Sequence, residues 1–124
     1  MELKMWAHWK NQSAEELREQ YDKGLYGPQT EGIGYLEGDL PGGHSATLDL
    51  FKEAHASMRG AKIPASVLAE RLPEALETVR ITESDNGATE EQIAKAQESY
   101  RQFVEFCARK EKDTGEPVFI ELWD

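Results

Sequence analysis

Glu2-Leu3-Lys4-Met5-Trp6-Ala7-His8-Trp9-Lys10 alternates between two faces. Leu3, Met5, Ala7 and Trp9 fall on one side, and Trp6 and His8 lie with the charged residues on the other. A period of two with aromatic residues predicts a β-strand. Val118-Phe119-Ile120-Glu121-Leu122-Trp123 repeats the pattern, with Val118, Ile120 and Leu122 opposite Phe119, Glu121 and Trp123. Two strands alone are marginal in water, so they must share a sheet, gain a further strand and pack on helices.

The intervening sequence supplies the helices. Ser13 with Glu16 and Thr89 with Gln92 form capping boxes, each marking a helix start. The first helix is expected over 14–23, ending at Gly24. A second, over 46–59, is expected to start at Ser45 and stop at Gly60, with Leu48, Phe51, His55 and Met58 on its apolar face. A third begins near Pro64 and carries Val67, Leu68, Leu72, Ala75, Leu76 and Val79, with a break or kink expected at Pro73. Residues 78–83 read equally as helix or strand. The last helix, over 90–112, carries Ile93, Ala96, Tyr100, Phe103, Val104 and Cys107 on one stripe and ends near Gly115 and Pro117. The expected architecture is α+β: a small sheet containing the first and last strands, packed on one face by three to four helices.

The chain has 124 residues, which fits one domain over 1–124. Seven of its ten glycines fall between residues 24 and 43, a Gly-rich loop. No apolar run approaches the ~20 residues that cross a bilayer, and the first residues lack the pattern of a signal peptide. Cys107 is the single cysteine, so no disulfide within the chain and no cysteine-based zinc site are expected. A cytoplasmic location follows as the default. The formal net charge is −10, which disfavours phosphate backbones and anionic lipid. A basic protein partner is compatible with it; nucleic acid and membrane are not expected as partners.

The residues that carry chemistry elsewhere mostly have quieter accounts here. Gly32-Ile33-Gly34-Tyr35-Leu36-Glu37-Gly38 has the outline of a phosphate loop, but no lysine sits in it and Pro41 stands where its helix should begin. His8, His44 and His55 show no metal-ligand spacing. Cys107 lies on an apolar stripe, where a thiol is inert. No metal or other cofactor is expected, and whether the chain is an enzyme stays open, with the residues leaning against it.

Glu70, Glu74 and Glu77 stand out, because like charges four and three residues apart on a helix repel. Trp6, Phe119 and Trp123 share the second face of the expected sheet, either exposed as a docking patch or covered by the Gly-rich loop. These six residues are the candidate binding set. The leading expectation is an acidic protein–protein interaction domain of the inhibitor, immunity or regulator type. The alternatives are a small enzyme or ligand-binding domain using His44, Asp49 and His55 between the Gly-rich loop and the second helix, and a structural subunit of a homo-oligomer.

Overall fold

Both capping boxes form. Ser13 Oγ accepts from the Glu16 N–H at 3.0 Å and Glu16 Oε1 accepts from the Ser13 N–H at 3.2 Å. Thr89 and Gln92 make the same reciprocal pair at 3.1 and 2.9 Å. The computed structural model describes the backbone of residues 4–26, 35–37, 43–57 and 61–123, and the side chains of 5–20, 45–54 and 61–121. Most of the Gly-rich stretch and the phosphate-loop outline within it lie outside the described residues, apart from Tyr35–Glu37.

The elements run β1 (Lys4–His8), α1 (Ala14–Tyr26), β2 (Tyr35–Glu37), α2 (Gly43–Leu50), α3 (Lys52–Ser57), β3 (Ala61–Ile63), α4 (Ala65–Asp85), α5 (Glu90–Thr114) and β4 (Val118–Trp123). The class is α+β, with the first and last strands in one sheet. That sheet is antiparallel, in the order β2-β1-β4-β3. β1 and β4 form its centre, pairing Met5 with Leu122 and Ala7 with Ile120. Met5, Ala7, Val118 and Ile120 are fully buried against helices, as the alternation requires. Leu68, Ala75 and Val79 of α4 and Tyr100, Phe103, Val104 and Cys107 of α5 complete this core with Leu50 and Phe51. Each large side chain so buried contributes about 1.5–3 kcal/mol.

Several boundaries differ from the sequence expectation. There are five helices among the described residues, not three or four, because the second expected helix is two. Arg71 Nη1 donates to the Leu50 carbonyl at 3.1 Å, which gives that oxygen a partner outside the helix and lets the chain turn at Phe51. The buried face is Ala46, Thr47, Leu50, Phe51 and Ala54, so Leu48 is out of phase and 48 % exposed. Ser45 lies inside α2 and not at its cap, and α1 continues past Gly24.

α4 runs unbroken through Pro73 and takes residues 78–83 into the helix. Burial of Leu68, Ala75 and Val79 holds both sides of the proline in one helical phase, against a local cost of about 3 kcal/mol. Pro64 supplies no side-chain cap. Glu111 of α5 takes that place, its carboxylate accepting from the Ala65 N–H at 2.5 Å, where the helix dipole favours negative charge. Gly115 ends α5 with φ of +71°, a left-handed conformation that glycine adopts without strain.

Arg71 also ties α4 to α3. Its guanidinium meets both oxygens of Glu53, at 2.7 and 2.5 Å. The hydrogen-bonded guanidinium holds the Glu53 carboxyl at about 2, well below its ordinary 4.5. A depressed carboxyl stabilises the fold above about pH 4.5, and the contribution disappears as pH falls towards 2. Glu53 is half exposed, so screening reduces the effect to about 1 kcal/mol or less. Stability of the protein and of Glu53→Gln should therefore differ at pH 7 and converge on acidification through this window. Parallel denaturation curves at each pH check it; a gap that persists at pH 2 would contradict it.

Candidate functional site

The acidic residues of α4 lie together at the surface. Glu70, Glu74 and Glu77 are all exposed, and Ile81, one turn further, is 47 % exposed. Glu77 pairs with Arg80, whose guanidinium lowers the Glu77 carboxyl below its usual value. Glu70 and Glu74 form no ion pair among the described residues. Thr78, on the neighbouring side of the helix, donates to Asp49 of α2 at 2.6 Å and also reaches the Glu74 carbonyl at 3.1 Å.

That contact fixes Asp49 as a link between α2 and α4. His44 falls in α2 and His55 in α3, and their side chains lie outside the described residues. The aromatic candidates separate. Trp6 is only 7 % exposed, which removes it from any open patch. Phe119 is half-buried, and the Trp123 side chain lies outside the described residues. Cys107 is fully buried, and burial pushes its thiol far above the ordinary range, as the apolar stripe implies.

The second face of the sheet holds a feature built around His8. Registers His8↔Phe119 and Lys62↔Phe119 set these three residues in one row across β1, β4 and β3. The row opens onto a cleft of about 450 Å³, which Trp9, Lys10, Glu116 and Pro117 also line. Trp9 is already engaged: Phe106 meets its ring edge-on at 5.5 Å and Lys110 Nζ sits 4.7 Å from its centroid. Trp9 therefore forms a wall, while Phe119 is the aromatic surface left to the cleft.

A chain of amides holds the imidazole of His8. Gln20, 2 % exposed, donates from Nε2 to the Ala7 carbonyl at 2.8 Å. Ala7 lies just beyond Trp6↔Tyr35, where the described β1–β2 register ends. Gln20 Oε1 accepts from Gln12 Nε2 at 2.8 Å, and Gln12 Oε1 faces His8 Nδ1 at 2.8 Å. The polarity follows from one end. A carbonyl only accepts, so each amide must turn its nitrogen towards Ala7, and His8 Nδ1 must carry the hydrogen. His8 Nε2 is left beside Glu121 Oε2, at 3.4 Å.

The sequence raises His8 only as a possible metal ligand, and it does not raise Lys62 at all. The signal for His8 was its place on the Trp6 face of the first strand. Lys62 gave none, because the three residues of β3 are too few to show alternation. No group of three or more metal-ligating side chains occurs among the described residues, and no described helix is long and apolar enough to cross a membrane. Comparison with protein-family models, with curated proteins and with solved structures yields no match.

Proposed function

We propose that the protein is a non-catalytic interaction domain that docks a basic protein partner on the outer face of α4. The observation that carries this reading is the exposed stripe Glu70, Glu74, Glu77 and Ile81, in which two of three carboxylates have no ion pair among the described residues. Repulsion along such a stripe costs stability. A basic partner would relieve it, and the exposed Ile81 would give the contact an apolar anchor. Acidic stripes of this kind accelerate encounter with cationic surfaces. Inhibitor, immunity and regulator roles all fit this mode of action. A cytoplasmic location accompanies the proposal, since a reducing compartment suits the unpaired Cys107.

The test is one variant, Glu70→Gln/Glu74→Gln/Glu77→Gln. Its melting temperature should hold or rise, by a few tenths of a kcal/mol in stability per repulsion removed. Its association with a lysine-rich amphipathic peptide should slow and lose salt dependence, measured by stopped-flow at two ionic strengths. Unchanged association kinetics would reject the docking role.

A further inference from the structure

We propose that the cleft between the end of β1 and the β3–β4 edge binds a small ring-bearing phosphate, of the aryl or nucleoside monophosphate class. This site lies on the sheet and is independent of the α4 reading.

Three observations converge on it. The first is charge. The cleft is lined by two ammonium groups, Lys10 and Lys62, and one carboxylate, Glu116, while Glu121 faces His8 Nε2 at 3.4 Å, in a chain whose net charge is −10. Neither lysine is in an ion pair among the described residues, so both ammonium groups are available to an anion. The second is shape. A cleft of about 450 Å³ falls within the range of small-molecule sites. Phe119 stands between His8 and Lys62 in the row that lines it, offering a face on which a ligand ring would stack while its anionic group meets the ammonium groups.

The third is preorganisation. The Gln12–Gln20–Ala7 chain holds the His8 ring, so that side chain is positioned before any ligand arrives. Lys10 sits in a turn closed by the Gln12 N–H to the Trp9 carbonyl at 3.3 Å. The turn requires a left-handed Asn11, at φ +63°, a conformation that asparagine tolerates better than most residues. Lysines act as point charges and lack the planar fork with which arginine selects carboxylates. Two of them lining one cleft therefore favour a dianionic phosphate over a singly charged carboxylate.

The experiment is a two-dimensional NMR titration of the intact chain with phenyl phosphate, benzoate, benzamidine and inorganic phosphate. The amides of His8, Lys62 and Phe119 should shift and saturate with phenyl phosphate. Benzoate should bind several-fold more weakly, and benzamidine should leave these amides unmoved. Lys62→Ala, at an exposed position, should weaken phenyl phosphate about tenfold with an unchanged melting curve. Phe119→Leu should weaken phenyl phosphate while leaving inorganic phosphate binding as it was. Shifts that do not saturate at millimolar ligand, benzamidine binding as tightly as phenyl phosphate, or saturation that Lys62→Ala leaves intact would each overturn the proposal.

Discussion

Phe51→Ala is expected to cost about 3–5 kcal/mol, a large part of what a domain of this size possesses. Phe51 is fully buried at the junction of α2 and α3, and meets Phe103 of α5 edge to face at 5.3 Å and 78°. Truncation removes the transfer free energy of the ring and leaves a cavity between three helices. The aromatic pair adds about 0.5–1.5 kcal/mol beyond its buried area. The midpoint of urea unfolding should fall with little change in slope, the signature of lost stability without altered compactness. Leu48→Ala is the control. Leu48 is three residues earlier and half exposed, and its removal should register within about 0.5 kcal/mol. A loss below about 1 kcal/mol for Phe51→Ala would mean that α2 and α3 do not pack on α5 as described.

Gln20→Ala should cost about 2–3 kcal/mol, from a side chain that contributes little apolar area. The change strips the Ala7 carbonyl of its donor and Gln12 of its acceptor, and a buried polar group left unpaired costs more than a typical hydrogen bond gains. A second readout separates this loss from simple loosening of α1. With Gln12 released, His8 Nδ1 loses the acceptor that fixes its hydrogen, so the ring nitrogens should change from one dominant tautomer to a mixture, visible in their ¹⁵N shifts. Wild-type His8 showing Nε2–H as the major neutral tautomer would contradict the polarity derived from the Ala7 carbonyl.

Much of the framework is legible in the sequence because its signals are local. The Ser13 and Thr89 boxes, the Gly115 cap and the alternation at both ends of the chain each lie within a few residues, and both boxes, the cap and the two strands form. The departures trace to tertiary contacts. Nothing in residues 46–59 announces that Arg71 will take the Leu50 carbonyl and divide a helix. Pro73 reads as a breaker until the burial of Leu68, Ala75 and Val79 on either side is known.

The candidate sites divide along the same line. Glu70, Glu74 and Glu77 share a helix face by spacing alone, and the structure places them together at the surface. The cleft at His8 depends on β3 joining β4, a pairing with no local trace. Trp6 and Phe119 do share the face assigned to them, but alternation assigns a face and not its exposure, and Trp6 is buried.

The central pairing of the sheet also orders the events of folding. Lys4 stands opposite Trp123, so β1 finds its main partner at the far end of the sequence. A ribosome delivers residues in order, and β1 must wait, unpaired along that edge, until β4 has emerged. The helical contacts of α4 with α2 and α5 join segments much closer together and have far less loop entropy to overcome. The helices are thus positioned to assemble first and the sheet to close last. During that interval the alternating segment Lys4–His8, with Trp6 and Met5 uncovered, is the part of the nascent chain most exposed to pairing with a neighbour.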